Sequence, residues 1–367
     1  MAKYSRAVKV WIFIGLVMLV VQVVVGGITR LTGSGLSITK WEIITGTFPP
    51  TSELAWEAEF DLYKETPQYK EINEGMEMGS IFESGTFKFI YFWEWIHRLW
   101  ARTMGFVFLF PFIYFWFTGA FDKMLKTRMT GVFFLAGLAA SFGWIMVASG
   151  LVERPWVNAY KLALHLSIAF LTFSYLFWTY CRVMLPKVSY ENFGSKLRFG
   201  KMAKIFTFIL CIQIFLGGVM SGMKAGVVFP TWPDMYGEYI PQIIFNSDSW
   251  TVENFNYYDR HPFMAALIQF LHRSVAYILF FFGLYYAFKL IKNYNTVLEF
   301  RGSIVLVSLL VIQVILGILT VINCKGTIPV GLGVAHQFFG LMLLTAALFL
   351  NYLFSGPDSK VEGFTKS

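Results

Sequence analysis

Charge is the first thing this sequence lacks. Only 14% of its 367 residues are charged, against 56% hydrophobic, whereas a soluble domain carries about 25% charged residues. That excludes an ordinary soluble protein. Cysteine is nearly as scarce. Cys181, Cys211 and Cys324 are the only three, and no two share an outer loop. Neither a disulfide framework nor a thiol cluster for zinc or iron–sulfur is therefore expected.

What the chain has instead is apolar length. Eight runs, at about 8–27, 88–117, 129–150, 157–181, 204–223, 263–291, 303–323 and 329–354, are long enough to cross a hydrocarbon core of about 30 Å at about 1.5 Å per residue. The reading is an all-α membrane protein of eight transmembrane helices. The first run follows Lys3, Arg6 and Lys9 as a signal peptide would. It ends in "VVVGGITR" rather than a small-residue cleavage site, so it reads as a retained helix.

The few charges are sorted by side. With the N-terminus inside, segments 1–10, 118–129, 181–204, 289–301 and the tail after 354 hold 17 basic and 5 acidic residues, while loop 28–88 holds 5 basic and 10 acidic. This is the positive-inside pattern. It places both termini in the cytoplasm at a cell (inner) membrane. The net charge of +8 therefore reflects topology and gives no reason to expect a nucleic-acid partner.

The sequence also repeats itself. A shift of 191 residues lays Gln22-x3-Gly-Gly on Gln213-x3-Gly-Gly, then Gly35 on Gly226, Trp41 on Trp232, Gly46 on Gly237 and Pro50 on Pro241. At a slightly smaller shift, "EWIHR" (94–98) meets "QFLHR" (269–273), and His165 pairs with His336. The order predicts two four-helix halves, 1–185 and 186–367, as parallel-repeat bundles.

Four of the five histidines, His97, His165, His272 and His336, fall seven to nine residues from the outer ends of runs two, four, six and eight. His261 in "YDRHPF" reads as a solvated loop residue. Polar side chains inside a bilayer are costly and face the bundle interior or a functional site. Two facing imidazoles in an apolar slot suit a haem iron, which takes axial ligands above and below a flat ring. Arg98 and Arg273 follow their histidines, and Arg102 shares a face with Arg98. All three are propionate-binding candidates, since guanidinium pairs with carboxylate in two-pronged fashion; for Arg102, snorkelling to the surface is the alternative. The Gly-rich stretches after runs one and five are expected to cap the haem edges, contributing Arg30 and Lys224 to the same role, or else to be plain turns. Glu94, three residues before His97, has only Gln269 as its counterpart. A carboxylate in one half alone suggests chemistry there, with a structural pairing to Arg98 or Arg102 as the alternative.

The segments "GGITRLTGSGLS", "FWEWIHR", "GWIMVASGL", "YKLALHL", "SGMKAG", "TWPDMYG", "QFLHRSVAY", "LGILT" and "AHQ" resemble, in order and nearly end to end, the haem A synthase family, in its longer mitochondrial-type branch. The outer-loop cysteine pairs of some bacterial members are missing. The resemblance implies an oxidoreductase that converts haem O to haem A by oxidising a ring methyl to a formyl group, for terminal oxidases. It implies His272 and His336 as ligands of a haem B cofactor, His97 and His165 as ligands of the substrate iron, and Glu94 as the catalytic carboxylate. It also implies haem O synthase and an electron donor as partners. A di-haem, cytochrome b-like electron carrier is the alternative; it accounts for the histidines but not for Glu94 against Gln269.

Overall fold

The structure, a computed structural model, describes residues 4–40, 47–151, 154–185 and 193–355. Trp41 and Gly46 of the repeat lie outside the described residues. Among the described residues eight helices are long and apolar enough to span a membrane: α1 (Arg6–Leu31), α4 (Phe87–Phe117), α5 (Lys123–Gly150), α6 (Ala159–Met184), α7 (Phe193–Gly222), α10 (Phe263–Lys292), α11 (Val297–Ile322) and α12 (Val330–Leu353). Short helices α2 (Glu53–Lys64) and α3 (Pro67–Glu71) lie in the first long loop, and α8 (Ala225–Val228) and α9 (Val252–Asn256) in the second. No strand occurs among the described residues. The chain is a multi-pass helical membrane protein.

Helix starts carry their chemical signals. Ser5, Asp122, Asn158 and Thr296 each accept a hydrogen bond from a backbone N–H of the following turn, satisfying a donor that has no partner within the helix. The glycine-rich stretches depart from expectation. The first apolar run ends at Gly27, yet α1 continues through it to Leu31; the fifth run, 204–223, already takes in Gly217 and Gly218, and α7 ends at Gly222. Glycine in a helix costs about 1 kcal/mol relative to alanine. Here it allows close packing: a Cβ on Gly27 would lie 3.3 Å from the Gln337 amide, and one on Gly222 would lie 2.6 Å from Ala159.

Helices α1, α6, α7 and α12 pack on one another at the centre, with α4 against α1 and α10 against α7. Outside them α5 packs on α6, and α11 on α12. One pairing does not recur. Helix α10 packs along α11, whereas α4 stands farther from α5 and meets it through the Phe133 ring, 5.5 Å from Phe108 and 4.7 Å from Phe112. The reason is local. Leu310, which is 3% exposed, fits its Cδ1 into the space beside Gly283, 2.5 Å from where a Cβ would be. At the matching places of the first half stand Ala136 and Phe108, so knob and hole are both missing.

Candidate haem-binding site

His97, His165, His272 and His336 lie on α4, α6, α10 and α12, in the loop-side part of each helix. They are 10, 6, 9 and 6 residues beyond their helix starts, an offset that matches within each repeat pair. Helices α4 and α10 begin earlier because their first turns join loop cores: Phe87, Ile90 and Tyr91 pack with Phe60 and Tyr63, and Phe263 packs edge-on to Trp250 at 5.0 Å. All four rings are half-buried. His97 and His165 are electrostatic neighbours, and so are His272 and His336.

Each ring faces a glycine on an adjacent helix. A Cβ on Gly26 would lie 3.0 Å from His97 Nε2, on Gly143 3.1 Å from His165 Cε1, on Gly217 3.1 Å from His272 Cε1, and on Gly317 3.0 Å from His336 Cε1. At these distances a side chain in place of the glycine would push the facing ring by a few tenths of an ångström. Four positions before each glycine stand Gln22, Ala139, Gln213 and Gln313. His165 Nδ1 donates to the Ala139 carbonyl at 3.0 Å, leaving Nε2 with the lone pair that an iron needs. Gln213 and Gln313 hold their amide nitrogens 3.2 and 3.4 Å from His272 Nε2 and His336 Nε2. Sequence reading noted Gln-x3-Gly only as a landmark of the repeat; its recurrence at 22, 213 and 313 was the signal for these neighbours.

The set fits a haem. The Nδ1 atoms of His272 and His336 and the Oε1 atoms of Gln22, Gln213 and Gln313 are buried without a hydrogen-bond partner. Each such atom costs about 1–3 kcal/mol when buried unpaired, which marks polar space built for something other than protein. Paired imidazoles, with glycine leaving room beside each ring, are the donor set of a six-coordinate haem iron.

Glu94 sits above this slot, 2% exposed. Its Oε2 accepts from Ser37 N at 2.7 Å, Ser37 Oγ at 2.8 Å and Ile38 N at 2.9 Å, and its Oε1 accepts from Arg98 at 2.5 Å. Four donors thus converge on one carboxylate, and the loop after α1 is tied down over the slot. In the second half Gln269 does the reverse, donating its amide to the Phe229 carbonyl at 2.8 Å. One cap turns N–H groups inward and the other a C=O, so the acid and the amide are not interchangeable.

The five cations of the expected propionate set all have protein neighbours. Arg98 also donates to the Ile38 and Lys40 carbonyls, at 3.2 and 3.3 Å, and Arg273 clasps the second cap through Thr231, Pro233 and Asp234. Arg30 donates to the Ser221 and Gly222 carbonyls at 3.1 and 3.4 Å, capping the negative end of α7. Lys224 lies 4.9 Å over the Trp156 ring. Arg102, on α4, is half-buried one turn beyond Arg98. His261 takes part in a local loop bond, accepting from Phe263 N at 3.3 Å.

Spanning helices with paired histidines, each matched to a glycine, define a haem-type membrane protein of duplicated pattern. Residues 9–348 match the family model COX15-CtaA, cytochrome oxidase assembly protein, and the chain belongs to that family. Curated relatives named Heme A synthase come from Brucella ovis and Brucella abortus, each 38% identical over 343 residues, 94% of this chain and 90% of theirs. Another, from Brucella anthropi, is 37% identical over the same length.

Proposed function

We propose that this chain is a haem A synthase: a membrane oxidoreductase that takes haem O as substrate and supplies haem A for cytochrome oxidase assembly. The family membership and the curated relatives support the activity. Within it, we read residues 1–185 as the substrate half and 186–367 as the cofactor half, with haem O oxidised at a ring methyl to the formyl group. The observation that carries this division is the difference between the halves. Only the first has a buried carboxylate, Glu94, over its histidine slot, and only the first holds its outer helix pair apart beyond a single aromatic contact at Phe133.

In this reading His97 and His165 hold the iron of the substrate, and His272 and His336 hold haem B. When bound, haem B would supply reversible one-electron chemistry at its iron. The protein's own contribution is placement. The glycines set the space beside each ring, Gln213 and Gln313 line the cofactor slot, and the Gly-rich caps exclude water above. Every neighbour of Glu94 at hydrogen-bonding distance is a donor, so its two oxygens are held as acceptors beside the substrate ring. Arg98, Arg102, Arg273, Arg30 and Lys224 place positive charge at the slot mouths, where propionates would lie. Both termini face the cytoplasm, haem O arrives from haem O synthase, and a separate donor supplies electrons.

Expression in a host that makes haem O but no haem A, followed by haem extraction, chromatography and mass analysis, tests this. Haem A or its hydroxylated precursor is expected with the wild type and is strongly reduced in Glu94→Gln. Bound haem B beside unaltered haem O, with a competent electron donor present, would refute the enzyme and favour the di-haem carrier.

A further inference from the structure

Among the described residues, the seam between α4 and α5 is closed at its inner end, where the Phe133 ring packs 5.5 Å from Phe108 and 4.7 Å from Phe112, and no buried residue lines it between there and the histidine slot. Helix α5 packs on α6 and has no buried residue between Val132 and Gly150, and α4 has none between Glu94 and Phe108. A seam that opened only onto ordinary lipid would be expected to bear bulky apolar side chains. Here the exposed residues are small over about a turn and a half of each helix, Ala101 and Gly105 on α4 and Ala136, Gly137, Ala140 and Ser141 on α5, with bulky Trp144 and Ile145 only beyond them. A Cβ on Gly105 or Gly137 would meet nothing within 4 Å. In the second half the corresponding positions on α11 are Leu310, Val311, Val314 and Ile315, and Leu310 closes that seam against Gly283. The first half also has Ala139 where the second has Gln313, directly beside the His165 ring.

Depth selects the occupant. Ala136 lies seven residues from Gly143, the glycine facing His165, or about 10 Å along the helix towards the middle of the membrane. Anything leaving the slot by this route enters hydrocarbon, so it must be apolar and narrow. Haem B has no such part. Haem O differs from it by a long isoprenoid chain on the ring.

We propose that the α4–α5 seam is a lateral port through which the isoprenoid chain of the substrate haem lies out of the first-half slot into the bilayer. The proposal rests on the reading of that half as the substrate site. The sealed α10–α11 pair is its counterpart for a cofactor without a tail. The port therefore sorts the two haems by their periphery, since both slots offer the iron two histidines.

The test uses the full chain in lipid nanodiscs with haem O whose isoprenoid chain carries a photoreactive diazirine. Labelled peptides are expected from 101–108 and 134–141; label confined to α1, α6 or α12 would overturn the port. Ala136→Leu and Ala140→Leu are expected to lower haem O occupancy about tenfold or more, read by haem extraction, while haem B per protein stays at the wild-type level. Wild-type haem O occupancy in both variants would also overturn it. Loss of haem B in a variant signals misfolding, and the labelling pattern then decides. The enzyme reading fails separately, if labelled haem O enters the port and its ring methyl is never oxidised.

Discussion

The glycine opposite each histidine gives a sharp test of the two-slot arrangement. Gly217→Ala adds one methyl, whose carbon would stand 3.1 Å from His272 Cε1, where ordinary contact begins at 3.4 Å. The ring must shift by a few tenths of an ångström, and an iron ligand tolerates that poorly. Overpacking costs about 1–3 kcal/mol, while alanine in mid-helix returns about 1 kcal/mol. Stability should hence change little while haem affinity falls, by about tenfold for a net 1.4 kcal/mol. Gly331→Ala on α12 is the control, because a Cβ there meets nothing within 4 Å. Haem B per protein, read as the pyridine haemochrome, should drop for Gly217→Ala and hold for Gly331→Ala, with similar thermal unfolding for both. Haem retention by Gly217→Ala at the wild-type level would refute the claim that these glycines set the slot width.

Other perturbations follow from the same contacts. Ser37→Ala removes one of the four donors to Glu94 at a cost of about 1 kcal/mol. Glu94→Gln instead puts an amide N–H against donors whichever way it turns, so protease cleavage of the cap loop should accelerate far more in Glu94→Gln than in Ser37→Ala. Leu310→Ala empties the space beside Gly283 and should cost about 2–5 kcal/mol, seen as a lower melting temperature and a haem B site that loosens before the rest. In the first long loop, burial pushes the Tyr63 phenol up to about 12. Its folded pKa lies above the unfolded value of about 10, so the stability it contributes is intact below pH 10 and is lost as pH rises from there towards 12. Fluorescence of nearby Trp56 should report that loosening, and Tyr63→Phe should abolish its pH dependence.

Much of this protein was legible in its sequence because a bilayer is an undemanding solvent to read. Every span had to satisfy its own backbone and present apolar side chains over about 20 residues, so eight runs could be counted without knowing any neighbour. His97, His165, His272 and His336 stood out because a polar ring inside such a run is expensive, and their pairing followed from the repeat. What the sequence could not decide was how closely helices approach. Gly26 and Gly27 looked like a helix end and proved to be helix interior, because the value of a missing Cβ depends on the side chain opposite. Arg30 was legible as a cation beside the slot, but only the fold brings the end of α7 to it. Gln269 looked like a neutral Glu94, and only the cap loop's peptide direction shows that one accepts where the other donates. The open seam between α4 and α5 was visible in no single residue, since it arises from Ala136 and Phe108 standing where Leu310 and Gly283 interlock. Composition and periodicity determine which segments enter the membrane; complementarity between segments distant in the chain determines which of them close on each other, and that belongs to the tertiary structure alone.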